Sequence, residues 1–164
     1  MQWTTNVLVV ANVTASSPEL ISALTARREA GPVTFTLVMP ASPAGDGRQA
    51  AQLRLDEALE RLRAAGLQID GRVGSGDPIL AVSDEWDPRR YDEIIVSTLP
   101  MGLSKWLHAG LPERIEHLTG ARVTHVVSQP PKPPATSSPS TVPDRHDSMG
   151  PLSVLSWGGP KRRP

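Results

Sequence analysis

The chain has 164 residues, 38% of them apolar, with 17 basic and 17 acidic side chains and a formal net charge of zero. That suffices for one domain with a real core and not comfortably for two. It has no cysteine, which excludes disulfides, thiolate metal sites and thiol redox chemistry.

The charge is unevenly placed. Residues 128–164 hold five basic and two acidic side chains, a net +3, leaving residues 1–127 at −3. A mildly acidic domain argues against nucleic acid as its partner. No apolar run approaches the roughly 20 residues of a membrane span. Met1 to Val10 lacks the basic start and long apolar run of a signal peptide. The expectation is a cytoplasmic protein without membrane contact.

Val7-Leu8-Val9-Val10-Ala11 is a continuous apolar run, the pattern of a strand buried on both faces of a parallel sheet. Ser16-Ser17-Pro18-Glu19 then offers a serine cap and a first-turn proline, which start a helix. That helix carries Leu20, Ile21 and Leu24 and ends near Gly31-Pro32. Val33 to Met39 reads as the second strand, and Pro40 to Gly47 as a loop. Gln49 to Ala65 is the clearest helix, with Leu55, Leu59 and Leu62 as its apolar stripe and Glu57–Arg61 spaced for an ion pair. Gly66 stops it.

Leu67 to Val73 is a shorter, more polar strand, expected at a sheet edge. Asp77 caps a third helix with Pro78 at its first position, running to about Trp86. Glu93 to Ser97 is the fourth strand, Pro112 to Leu118 the fourth helix ended by Gly120, and Arg122 to Val127 the fifth strand. Strands alternating with helices call for a parallel sheet covered on both faces. The fold class is therefore α/β: a flavodoxin-like three-layer sandwich with strand order 3-2-1-4-5. Ligands would sit at the carboxyl ends of strands one and four.

The domain is expected over residues 1–127. Residues 128–164 contain 9 of the 17 prolines, with serine and threonine filling much of the rest. They read as a disordered, partly polyproline tail. Leu152, Val154, Leu155 and Trp157 form one apolar cluster in it, which could anchor a protein partner.

Candidate chemistry is sparse. His108, His117, His125 and His146 make no recognised metal spacing. His125 alternates with Val123 and Val127, which places it on a sheet face. There is no nucleophile elbow and no P-loop. Asn12-Val13-Thr14-Ala15-Ser16-Ser17 is hydroxyl-rich; it could hold a flavin phosphate, with Trp86, Tyr91 or Trp106 stacking on the ring, but helix capping is the simpler use. Asp84, Glu85, Asp87, Asp92 and Glu93 surround Trp86 and Arg89-Arg90 and read as a solvated acidic rim.

The element order, Gly76-Asp77-Pro78, the strand Asp92-Glu93-Ile94-Ile95-Val96-Ser97, the block Gly102 to Leu107 with Glu113-Arg114-Ile115, and the ending Val123-Thr124-His125-Val126 together resemble the universal stress protein family over residues 5–127. The resemblance implies a non-enzymatic stress-response module, a homodimer paired through the last strand, and a cleft for ATP or another adenine nucleotide. ATP-binding members share the pattern G-x2-G-x9-G-[ST], which falls here on Val96, Leu99, Ala109 and Gly110, none of which matches. The family's acidic residue after the first strand falls on Asn12, and Gly102 lies near a common family glycine. The resemblance thus implies a degenerate nucleotide cleft formed by Ala11, Asn12, Val38, Val96, Ser97, Leu99, Gly102, Ser104 and Gly110. An adenine nucleotide held by a remodelled loop is the first alternative. A flavin- or nucleotide-using enzyme is the second, with no acid–base pair or metal cluster to support it.

Overall fold

A computed structural model of the protein describes residues 3–41, 45 and 47–130. The apolar cluster Leu152–Trp157 and nearly all of the expected tail lie outside the described residues.

The strands are β1 (Thr5–Val10), β2 (Val33–Pro40), β3 (Ile69–Gly74), β4 (Glu93–Thr98) and β5 (Arg122–Val127). They form one sheet in the order β3-β2-β1-β4-β5, and every pairing is parallel. The helices are α1 (Pro18–Glu29), α2 (Gly47–Ala64), α3 (Pro78–Glu85), α4 (Lys105–His108) and α5 (Leu111–Thr119). The flavodoxin-like order expected from the sequence is the one found.

The side-chain period of 2 along each strand divides the core into two layers. Val7, Val9, Phe35, Leu37 and Ile95 pack with Leu20 and Leu24 of α1 and Leu55, Leu59 and Leu62 of α2. Leu8, Val10, Val38, Ile94 and Val96 pack on the other side with Ala81 and Val82 of α3 and Leu111 and Ile115 of α5. Val7 to Val10 are wholly buried, so each of the four stabilises by about 1.5–3 kcal/mol relative to exposure. A run without polar alternation is what a doubly covered central strand requires.

Ser17 caps α1 by accepting from the Leu20 N–H at 3.1 Å, and Asp77 caps α3 by accepting from Ile79 at 2.8 Å. Gly66 (φ +86°) and Gly120 (φ +68°) follow α2 and α5 in the left-handed conformation that ends a helix without a Cβ clash. The expected Glu57–Arg61 pair does not form; Arg61 reaches the Ser16 hydroxyl at 3.5 Å. The four-residue α4 was not legible, because one turn shows no apolar periodicity. It begins at Ser104, whose hydroxyl accepts from the Leu107 N–H at 3.2 Å.

The described domain continues past β5. Ser128 is wholly buried, and its N–H donates to the Thr98 carbonyl at 2.8 Å.

Candidate functional site

The central strands β1 and β4 lead to opposite faces: β1 into α1 on one side, β4 into α4 and then α5 on the other. Where neighbouring parallel strands diverge this way, their carboxyl ends leave a crevice. Here it is a cleft of about 230 Å³ lined by residues 12–14, 97–99 and 103–106.

Its floor is a line of hydroxyls. Ser97 donates to Thr14 at 2.7 Å and lies 3.1 Å from Ser128, which accepts from Ser17 at 2.8 Å. All four are buried. Buried hydroxyls are tolerated when they hydrogen-bond one another, and this line joins the end of β4, the turn after β1, the cap of α1 and the residue after β5. On the other face, the Thr98 hydroxyl donates to the Leu99 carbonyl at 2.9 Å and lies 2.7 Å from His125 Nε2.

Asn12 is held at both ends of its amide. Its nitrogen donates to the Pro40 carbonyl at 3.1 Å, and its oxygen accepts from Arg54 at 2.5 Å. The walls are apolar: Val13 and Leu103 are 47% and 60% exposed at the mouth, with Leu99 and Trp106 further along. Lys105 is the one charged side chain in the described lining, and no carboxylate joins it.

Four of the nine residues expected at the site line this cleft: Asn12, Ser97, Leu99 and Ser104. The other five do not. Ala11 is wholly buried in the α1–α2 layer. Val38 and Val96 point into the α3–α5 layer, because odd and even strand positions face opposite ways. Gly102 sits in an open turn where an added Cβ would meet nothing. Gly110 is left-handed (φ +65°) ahead of α5, where its carbonyl accepts from Arg114 at 3.0 Å. The lining also includes Val13, Thr14, Thr98, Leu103, Lys105 and Trp106. Thr14 and Trp106 carried a signal, a hydroxyl run and an aromatic in the loop after β4; Lys105 carried none.

The other aromatic and acidic candidates lie elsewhere. Trp86 and Tyr91 stack on each other, ring centroids 6.1 Å apart, and leave no face for a flavin between them. The acidic rim is partly solvated and partly paired: Asp84 and Asp92 are exposed, and four of the five carboxylates have partners. Asp92 accepts from the Asn6 N–H at 2.8 Å, Glu93 meets Arg27 at 2.5 Å, and Asp87 accepts from the Arg89 N–H at 2.9 Å. Glu85 is buried and accepts from the Tyr91 hydroxyl, with Arg72 at 3.3 Å and Arg90 at 3.8 Å. Burial, then the bond to Glu85, pushes the Tyr91 phenol above its ordinary value of 10.0, with Thr36 and Arg90 opposing.

No protein-family model and no curated protein matches the sequence. Solved structures do match. The chain is similar to a universal stress protein in complex with cAMP, at 19% identity and TM-score 0.51, over 76% of this chain and 98% of that one. It is similar to a universal stress protein from Archaeoglobus fulgidus in complex with dAMP, at 15% identity and TM-score 0.50, over 77% and 99%. It is also similar to a universal stress protein family protein from Arabidopsis thaliana with AMP bound, at 15% identity and TM-score 0.52, over 84% and 97%. The chain has the universal stress protein fold. Among the described residues no helix is long and apolar enough to cross a membrane.

Proposed function

We propose that the chain is a non-enzymatic regulatory binding module, cytoplasmic, whose cleft is degenerate for ATP and takes a ligand no larger than a nucleoside monophosphate. The observation that carries this reading is the cleft itself. At about 230 Å³ it falls below the roughly 300–1,000 Å³ typical of small-molecule sites. Two of the positions where ATP-binding members have glycine act against a triphosphate in different ways. Val96 closes the strand end inside the core, and the Leu99 side chain stands in the cleft wall. Glycine lets backbone approach phosphate; valine and leucine keep it away.

An adenine mononucleotide suits what remains. Trp106 and Leu99 offer an apolar wall for a planar base, and Lys105 offers a cation. The nucleotides carried by the similar structures, cAMP, dAMP and AMP, are all monophosphates. Catalysis is unsupported by the arrangement: His125 is tied to Thr98, and the buried Glu85 belongs to a different cluster on α3.

Calorimetric titration with AMP, ADP and Mg-ATP tests this. AMP should bind measurably and Mg-ATP more weakly. Mg-ATP binding tighter than ~10 μM, about −7 kcal/mol, would overturn the degenerate cleft.

The proposal includes a homodimer paired through β5, an edge strand with Val127 45% exposed. An uncovered edge is a template for another strand. The Ser128 N–H points to β4, so by alternation the Val127 N–H points outward. Val127→Pro should therefore keep the fold and yield monomers in sedimentation; an unchanged dimer would place the interface elsewhere.

A further inference from the structure

The hydroxyl line under the cleft has a direction. Each hydroxyl has one hydrogen to give. Ser97 gives its hydrogen to Thr14, so the 3.1 Å bond between Ser97 and Ser128 must be donated by Ser128. Ser128 in turn accepts from Ser17, and Ser17 accepts from the Leu20 N–H. Every donation runs toward the cleft: Ser17 to Ser128, to Ser97, to Thr14. Bonds aligned in series polarise one another, by about 10–30% per bond, so the last hydroxyl is the strongest donor. That last hydroxyl is Thr14, 2% exposed and lining the cleft. No acceptor takes its hydrogen among the described residues.

Ser104 repeats the arrangement. It is 5% exposed and lines the cleft. Its oxygen accepts from the Leu107 N–H, and its hydrogen has no acceptor among the described residues. Lys105 adds a positive charge beside it, with no carboxylate in ion-pair range among the described residues.

Much of the loop's backbone is already committed. The N–H groups of Leu103 and Ser104 both donate to the Pro100 carbonyl, and those of His108, Ala109 and Gly110 donate to the carbonyls of Ser104, Lys105 and Leu107. The Leu107 N–H is taken by Ser104. A nest of free backbone donors is the usual anion cradle in such loops; in this loop six of the N–H groups are bonded internally, which leaves those of Lys105 and Trp106 at the start of α4 without an acceptor among the described residues.

We propose that Thr14, Ser104 and Lys105 form an anion subsite made of side chains, which takes the phosphate of a phosphomonoester whose planar body lies against Leu99 and Trp106. The subsite rests on the mononucleotide reading above and says what would hold the phosphate in that ligand.

The test is calorimetric titration of the full chain with AMP and with adenosine, in the native protein and in Lys105→Gln, Thr14→Val and Thr14→Ser. Lys105 is exposed, so Lys105→Gln keeps the fold even where a Thr14 variant loses stability. AMP should bind ~10-fold more tightly than adenosine, the scale of one charge-assisted hydrogen bond. Lys105→Gln should remove that preference. Thr14→Val should reduce it ~3-fold and Thr14→Ser restore it. Equal affinity for AMP and adenosine in the native chain overturns the subsite and leaves the cleft reading standing. If neither nucleoside compound binds, inorganic phosphate decides. Shifts of the 104–106 amide resonances in the native chain, absent in Lys105→Gln, keep the subsite and overturn the mononucleotide reading. No response to any of the three overturns both.

Discussion

The two faces of the sheet bury polar side chains in different ways. On the α1–α2 side, Ser17, Ser128, Ser97 and Thr14 form a neutral line, each group passing one hydrogen bond to the next. On the α3–α5 side, Tyr91, Arg72 and Arg90 converge on one carboxylate, Glu85, and Arg90 also lies 5.3 Å over the Tyr91 ring. The second network is closed around Glu85: the buried carboxylate takes the Tyr91 hydrogen and both guanidinium contacts, and it fastens the segment between α3 and β4 to β3. The first is open, because its last hydrogen faces a cleft. Buried polar groups with matched partners hold a fold; a buried donor without an acceptor, facing solvent-accessible space, marks where a ligand can add something.

Breaking each network should separate these roles. The largest effect is expected from Glu85→Ala, which strands the buried Tyr91 hydroxyl, while Arg72 and Arg90, each more than half exposed, turn to solvent. Stability should fall by about 2 kcal/mol, nearly all of it from the buried hydroxyl because the ion pairs are solvent-screened, in urea unfolding, with AMP affinity unchanged. A matching loss of AMP affinity would mean that the closed network also shapes the cleft.

Ser97→Ala should cost less, about 1–2 kcal/mol, because it leaves the Ser128 hydroxyl without its acceptor in a neutral setting. It should also weaken AMP binding, since Thr14 would no longer end a polarised line. Stability loss with unchanged AMP affinity would show that the line is structural only.

Tyr91→Phe should cost about 1 kcal/mol at neutral pH and reveal its main signature at high pH. Burial and Glu85 raise the Tyr91 phenol above 10.0 in the folded chain, so the folded state keeps that proton more tightly than the unfolded state. The stabilisation is complete below pH 10, and is lost as pH rises through the folded-state value. Denaturant titrations from pH 8 to 11 should show a steeper decline for the native chain than for Tyr91→Phe. Parallel declines would remove Tyr91 as the titrating group.

Much of this protein is local in origin and can be read along the chain. Val7 to Val10 must be a doubly covered strand because nothing in it is polar. Ser17 and Asp77 announce helix starts, and Gly66 and Gly120 announce ends, through caps that depend on a few neighbouring residues. Alternation of such elements leaves few topologies, and the one expected is observed.

The site was legible only in part, because it depends on which residues from distant segments share a space. The sequence places Asn12, Ser97, Leu99 and Ser104 near the ends of two strands. Strand parity, which only the register of the sheet fixes, turns Val96 and Val38 into core and Ser97 toward Ser128. The one-turn α4 puts Lys105 and Trp106 in the cleft lining, and Arg54, forty-two residues from Asn12, occupies that residue's acceptor oxygen. Charge counting reads the acidic residues 84–93 as a solvated rim, whereas packing against β1, α1 and β3 supplies Asn6, Arg27 and Arg72 as partners of Asp92, Glu93 and Glu85. Periodicity and capping are properties of neighbours in sequence, so the chain alone determines the elements and their order. Hydrogen-bond partners across the sheet are properties of neighbours in space, so only the tertiary structure decides which donors are used up and which remain for a ligand.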